Sequence, residues 1–210
     1  MRASILFSAL ALAALTGPTL AGTVVFKDDF SSASSGWDDN SEATMRGKTR
    51  GMGIYTDGKF QMTPLEDNTM GLLPSPRQAT TGNVRLESET FLYVSTGSGG
   101  AGLFCRASDR DNFYAFLVTG AGEWRIVKSR GGKGETLAGG RLPKQVVDGM
   151  VDGKIGASCA GETLSLSFKG KTMGSARDAT FSAGNSGLMI IGSDLASTYA
   201  TYDDLLLEAL

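Results

Sequence analysis

Turn-forming residues interrupt this chain about every ten residues, and that spacing restricts its fold more than any other feature of the sequence. Glycine, Asn, Asp and Ser recur between short stretches enriched in β-branched and aromatic residues, and 29 of the 210 residues are glycine. No stretch sustains the period of about 3.6 residues that marks an amphipathic helix. The pattern therefore predicts an all-β protein.

The clearest strand is 84–94, where apolar and charged residues alternate. Its apolar face carries Val84, Leu86, Leu92 and Val94, and its polar face carries Arg85, Glu87 and Glu89. The same signals predict further strands at Thr23–Phe30, Gly53–Tyr55, Lys59–Thr63, Leu103–Ala107, Phe113–Thr119, Trp124–Lys128, Lys154–Ala160, Thr163–Phe168, Leu188–Ile191 and Thr198–Leu207. So many short strands predict two packed antiparallel sheets, a sandwich or jelly roll.

The first 21 residues have the pattern of a secretory signal peptide. Met1-Arg2 is a positively charged start, residues 3–15 are apolar apart from two serines, and Thr19-Leu20-Ala21 has the small-x-small form of a cleavage site. We expect a single domain over residues 22–210, periplasmic or secreted, with no membrane anchor after cleavage. An uncleaved anchor is the alternative, but the apolar run is shorter than the roughly 20 residues that span a bilayer.

Export changes the interpretation of Cys105 and Cys159, the two cysteines of the chain. In an oxidising compartment two cysteines in a small protein usually pair, whereas in the cytosol they would be buried thiols. We therefore expect a disulfide between them, with a role in stability.

The charge balance and the absence of histidine exclude several classes of function. The chain has 20 basic and 22 acidic residues, so it offers no basic stripe for a phosphate backbone, and no nucleic-acid partner is expected. Without histidine it lacks the usual general base, and two cysteines alone cannot complete a tetrahedral zinc site.

Several segments resemble the concanavalin A-like jelly rolls of bacterial exported proteins, a superfamily of lectins, laminin-G-like modules, glucanases and 3-keto-disaccharide hydrolase-like domains. The segments similar to its central, opening and closing strands are 101–106, 111–118, 124–126, 28–32 with Gly36-Trp37, and 202–205. The match departs from the closing motif at Asp204, where the superfamily has Asn. The resemblance implies an exported module that binds carbohydrate or a cell-envelope glycan, although fold alone does not determine function.

A glycoside hydrolase is one alternative, since such enzymes need two carboxylates on a shared face. Glu87 and Glu89 meet that requirement because residues at i and i+2 of a strand point the same way. The pair resembles the catalytic strand of the superfamily's glucanases, but Glu89 stands where that motif has Asp, and Phe91 and Leu92 stand where a third acid would come. Two solvated charges beside Arg85 are the simpler interpretation, so the expected module is non-catalytic. A protein-interaction or structural domain is the other alternative.

Carbohydrate binding would need aromatic faces beside polar side chains. The candidates are Arg106, Asn112, Tyr114 and Trp124, although each aromatic could equally belong to the core, and Trp37 looks like a structural plug. No cofactor is expected, but a structural calcium stays open because the pairs Asp28-Asp29, Asp38-Asp39 and Asp203-Asp204 could meet across the sandwich. In the simpler interpretation Asp28 and Asp203 accept turn and edge hydrogen bonds.

Overall fold

The computed structural model describes residues 22–37, 51–64, 70–95, 99–143, 149–192 and 198–210. The predicted signal peptide and the Asp38-Asp39 pair lie outside these ranges. The strands within them are β1 (Thr23–Asp28), β2 (Gly51–Thr56), β3 (Lys59–Pro64), β4 (Met70–Pro74), β5 (Val84–Val94), β6 (Gly100–Asp109), β7 (Asn112–Thr119), β8 (Glu123–Arg130), β9 (Lys133–Arg141), β10 (Met150–Ala160), β11 (Thr163–Phe168), β12 (Lys171–Arg177), β13 (Asn185–Ile191) and β14 (Thr198–Ala209).

These strands form two antiparallel sheets packed face to face. The eight-stranded sheet has the order β12-β11-β10-β5-β14-β3-β2, with β1 pairing beside β3 on β14, and the six-stranded sheet has the order β4-β13-β6-β7-β8-β9. The predicted all-β, two-sheet sandwich is confirmed. The described residues contain no helix that is long and apolar enough to cross a membrane.

Tight turns form where the sequence places glycine between strands. Asp57 and Gly58 have φ values of 51° and 70° in the turn between β2 and β3, and Lys169 and Gly170 have 50° and 75° between β11 and β12. Positive φ at both central residues matches the right-handed twist of a hairpin, which is why Asp-Gly and similar pairs are favoured there.

Three strands escaped the sequence prediction, namely β4, β9 and β12. Each is an edge strand of its sheet. β9 and β12 are mostly exposed on both faces, so neither has the alternation that identifies a half-buried strand. Their backbones are extended because a neighbouring strand offers them hydrogen bonds, and their side-chain pattern does not report this.

The main core lies between the two sheets. Its fully buried large side chains include Phe60, Leu86, Leu92, Phe116, Ile126 and Tyr202. The six-stranded sheet is also apolar on its other face, where a second buried cluster consists of Leu72, Phe104, Ala107, Phe113, Ala115, Leu117 and Met189. The central strands β6 and β7 are therefore buried on both faces.

A disulfide joins Cys105 to Cys159, as the sequence predicted. Cys105 lies on β6 of the six-stranded sheet and Cys159 on β10 of the eight-stranded sheet, so the bond links the two layers of the sandwich. Both cysteines are fully buried.

Trp37 follows the first strand and is buried in the main core. It packs against Phe26, Phe30 and Phe60, and its Nε1 donates a hydrogen bond of 2.8 Å to Asp28 Oδ2. The other carboxylate oxygen of Asp28 accepts from the backbone N of Phe30 at 2.9 Å. The prediction of a structural plug is confirmed, and the Asp28 carboxylate accepts a turn hydrogen bond as the simpler interpretation proposed.

Candidate functional site

Two of the predicted ligand-binding residues, Arg106 and Tyr114, lie together and hold the same loop. Arg106 is buried with a φ of 53°, and it donates to Gly82 O at 2.8 Å and to Phe181 O at 3.0 Å. The fully buried Tyr114 accepts a hydrogen bond of 3.0 Å from Phe181 N at its hydroxyl oxygen. Both side chains fasten the loop after β12 to the six-stranded sheet.

Tyr114 also donates to Asp178, the centre of a small polar network. Lys128 Nζ lies 2.8 Å from Asp178 Oδ2 and 3.0 Å from Glu135 Oε2, and the side chains of Lys128 and Asp178 are only 14% and 13% exposed. Burial opposes ionisation of Asp178, but hydrogen bonds from Lys128, Thr180 and Tyr114 outweigh it and hold the pKa of Asp178 well below its ordinary value. The network is a charged clamp between β8 and the loop after β12.

Asn112 and Trp124 lie apart from this clamp's centre. Asn112 Nδ2 donates to Asp109, and its Oδ1 accepts from Gly131 N at 2.9 Å, so it stabilises two neighbouring turns. Trp124 is 8% exposed and its ring packs against Gly140 and Gly174. The structure thus brings Arg106 and Tyr114 together but not all four candidates. Their assignment to ligand binding stays a prediction that this arrangement does not test.

Glu87 and Glu89 lie on the outer face of the eight-stranded sheet, where the alternation placed them. Lys154, opposite Glu89 on β10, approaches its Oε1 to 3.4 Å, and the two side chains are 41% and 46% exposed. Their catalytic assignment likewise stays a prediction.

The same outer face carries three aromatic side chains that sequence reasoning missed. Phe91 and Tyr93 continue the outward alternation of β5, and Tyr199 lies opposite Tyr93 on β14. The ring centroid of Tyr199 is 6.0 Å from that of Phe91 and 5.5 Å from that of Tyr93. All three side chains are partly exposed. We call Phe91, Tyr93 and Tyr199 the aromatic platform. The sequence carried a signal for it: Phe91 and Tyr93 follow Glu89 at intervals of two residues, so the alternation of β5 places them on the same outward face.

At the other end of β5 the outer face forms a hollow of about 260 Å³. Its polar lining consists of Arg85, Glu87, Ser158, Ser165, Ser167 and Thr172. Gly156 also lines it, and a Cβ there would lie 2.3 Å from Ser167 Oγ. We call this feature the hydroxyl hollow. The Arg85 guanidinium binds Glu208 through two nitrogens and is 40% exposed, so it is both held in place and reachable from solvent.

The outer face of the six-stranded sheet has a different character. Its groove of about 350 Å³ is lined by Leu117, Val127 and Ile191, with an Arg125–Glu123 ion pair of 2.6 Å at one side. The residues that line it include no aromatic ring on which a sugar could pack. Among the residues that the structure describes, no group of three or more acidic or cysteine side chains is arranged to hold a metal ion.

No family model matches the sequence, and no curated protein matches it significantly. Solved structures do match the fold. A carbohydrate-binding module, CBM66, from Bacillus subtilis superposes with a TM-score of 0.62 at 18% identity, covering 83% of this chain and 96% of its own. The fold is a concanavalin A-like jelly roll. The predicted resemblance is confirmed at the level of the fold.

Two further jelly rolls illustrate the range of proteins that share this architecture. A Bacillus licheniformis β-glucanase has a TM-score of 0.60 at 11% identity, covering 91% of this chain and 100% of its own. A Bacillus subtilis protein with a galectin-like fold has a TM-score of 0.60 at 14% identity, covering 89% of this chain and 96% of its own. Binding modules and hydrolases both use this jelly roll, so the function has to be argued from the site.

Proposed function

We propose that this protein is an exported, non-catalytic module that binds carbohydrate or a cell-envelope glycan through the aromatic platform. The observation that carries the proposal is a cluster of three partly exposed rings on the face of a sheet. Sugar rings present C–H groups that pack on aromatic faces, and tyrosine adds a hydroxyl that can hydrogen-bond to the ligand. Each ring is supported by its neighbour, so little side-chain freedom is lost on binding.

Polar groups that suit sugar hydroxyls surround the platform. Asp152 of β10 and Thr201 of β14 lie opposite Phe91 on the two neighbouring strands, and both are accessible. The Asp152 carboxylate can accept hydrogen bonds from sugar hydroxyls, and the Thr201 hydroxyl can donate or accept them. Such bonds fix the orientation of a sugar on the rings. An apolar floor with a few placed polar groups is the usual composition of such sites.

Export is proposed on two independent features. The N-terminal 21 residues have the order of a signal peptide, and the domain has a buried disulfide of the kind that persists in oxidising compartments. We propose that the processed protein comprises residues 22–210 as one domain in the periplasm or outside the cell. Mass spectrometry of the exported protein should give an N-terminus near Gly22.

A glycan array tests the binding function. Oxidised protein, expressed with its full sequence and recovered after export, is applied with calcium and with a chelator in parallel. We expect saturable binding to a related set of glycans, lost in the double variant Tyr93→Ala/Tyr199→Ala and retained in Tyr93→Phe/Tyr199→Phe, which keeps the rings. Arg125→Ala, on the outer face of the other sheet, is the control. A blank array under both conditions would contradict the proposal and favour a protein partner.

A glycoside hydrolase is the second candidate, because two carboxylates share the face of the aromatic platform. Under the binding proposal, prolonged incubation with polysaccharide releases no reducing ends. Release that falls at least about a hundredfold in Glu87→Gln or Glu89→Gln would instead support hydrolysis, since general acid or base groups contribute factors of this size.

A further inference from the structure

We infer that the ligand is a linear polysaccharide, several residues of which lie lengthwise on β5 from the aromatic platform to the hydroxyl hollow. This inference rests on the proposed function and specifies the class of glycan. The two ends of the outer face have complementary chemistry for sugars. One end offers the partly exposed rings of Tyr93 and Tyr199, and the other offers hydroxyls and a guanidinium around Arg85.

The length of this face exceeds what a single sugar needs. Arg85 and Tyr93 are both outward-facing residues of one unbroken strand, eight positions apart. At roughly 3.3 Å per residue they are separated by about 26 Å. One sugar ring on the platform would leave the hollow empty, whereas a chain of several residues reaches both.

The middle of the face is open rather than walled. Glu89 and Lys154 lie between the two ends, are 46% and 41% exposed, and line a shallow hollow of about 420 Å³ with Asp152 and Gly153. A chain can therefore pass over this ion pair from one end of the face to the other.

The hydroxyl hollow is built to contact a passing chain. Its serines and threonine come from β10, β11 and β12, each offering one donor and two acceptor positions. Arg85 is anchored by Glu208 at 2.7 Å through Nε, which holds the guanidinium in place before any ligand arrives. A positioned donor loses less freedom on binding than a mobile one.

The test uses chain length as the variable. Affinity electrophoresis of the full exported protein against hydroxyethylcellulose, barley β-glucan, laminarin, xylan and levan identifies a retarding polysaccharide. Oligosaccharides of two and six residues from that polysaccharide are then titrated calorimetrically. We expect the six-residue ligand to bind at least about tenfold more tightly, because only it reaches both ends of the face.

Variants at the far end separate this inference from the proposed function. Arg85→Ala and, separately, Glu87→Gln should weaken six-residue binding by about three- to tenfold, the usual range for a lost polar contact, and leave two-residue binding unchanged. Arg125→Ala is the matched control, since it is also an exposed arginine paired with a glutamate. Equal affinities for both lengths, or no effect of either variant, would overturn the inference while the platform still binds. Retardation by none of the five polysaccharides would count against the proposed function itself.

Discussion

Removing the disulfide between the sheets should cost this protein about 4 kcal/mol of its free energy of unfolding. Cys105 and Cys159 are 54 positions apart, and the chain-entropy estimate for closing a loop of that size in the unfolded chain is about 4 kcal/mol. The perturbation is the double variant Cys105→Ala/Cys159→Ala, which adds no polar atom to the core. For a domain of this size such a loss is a large share of the usual 5–15 kcal/mol.

The assay is urea unfolding at neutral pH, followed by tryptophan fluorescence and by circular dichroism. Because the cross-link restricts the unfolded chain, its loss should also raise the slope of free energy against urea, as a more open unfolded state exposes more surface. The matched control is the natural sequence unfolded with a reductant present, which removes the bond without truncating a side chain.

The reasoning would be refuted by a loss below about 1 kcal/mol with an unchanged urea slope, since an entropic cross-link of this loop length predicts both changes. Agreement between the alanine variant and the reduced protein would assign the effect to the bond. A much larger loss in the alanine variant alone would assign it to packing around the two buried sulfur atoms.

Two further predictions concern the clamp and the sheet edge. Asp178→Asn should lower the free energy of unfolding by about 1–3 kcal/mol at pH 7, because Lys128 loses its buried anion. Folding lowers the pKa of Asp178, so its stabilising effect is present above the ordinary pKa of 3.8 and is lost as the pH falls below that value. The urea midpoints of the variant and the natural sequence should therefore converge in acid. A gap between them that does not change with pH would contradict this. Gly174→Ala should destabilise by about 1–3 kcal/mol in thermal unfolding, because its Cβ would lie 2.3 Å from the Trp124 ring. Gly134→Ala, where the Cβ has ordinary contact distance, should change stability by less than about 0.5 kcal/mol, and equal effects of the two would exclude the Trp124 contact as the cause.

The sequence predicts this fold well where one face of a strand is buried and the other is wet. In β5 the alternation from Val84 to Val94 is followed without exception, and glycine lies in the hairpin turns between β2 and β3 and between β11 and β12. The sequence prediction fails at β9 and β12, where no face is buried and only backbone pairing holds the strand extended. Pairing of that kind is decided by the neighbouring strand.

The site was harder to predict, because the same residue types serve both core and surface. Tyr114 and Trp124 sit on strands buried on one or both faces, and only packing shows that their rings are enclosed. Tyr93 belongs to a strand whose faces were assigned correctly, and its exposure follows from that alternation. Its partner Tyr199 is more than 100 positions away in sequence, so their contact depends on the pairing of β5 with β14.

The double burial of β6 and β7 has a consequence for how the chain finds one alignment of these strands. A slip of one residue normally turns apolar side chains outward, and that penalty fixes the register of a sheet. Here both faces are apolar, so a slipped pairing would still bury hydrophobic side chains. Features at one end of the pair distinguish the correct register: the disulfide from Cys105, the bulge at Arg106 with its buried guanidinium, and the Asp109–Asn112 turn. A slip of one residue would turn Cys105 away from Cys159 and would take the Arg106 guanidinium away from its carbonyl acceptors, so these two side chains favour a single register.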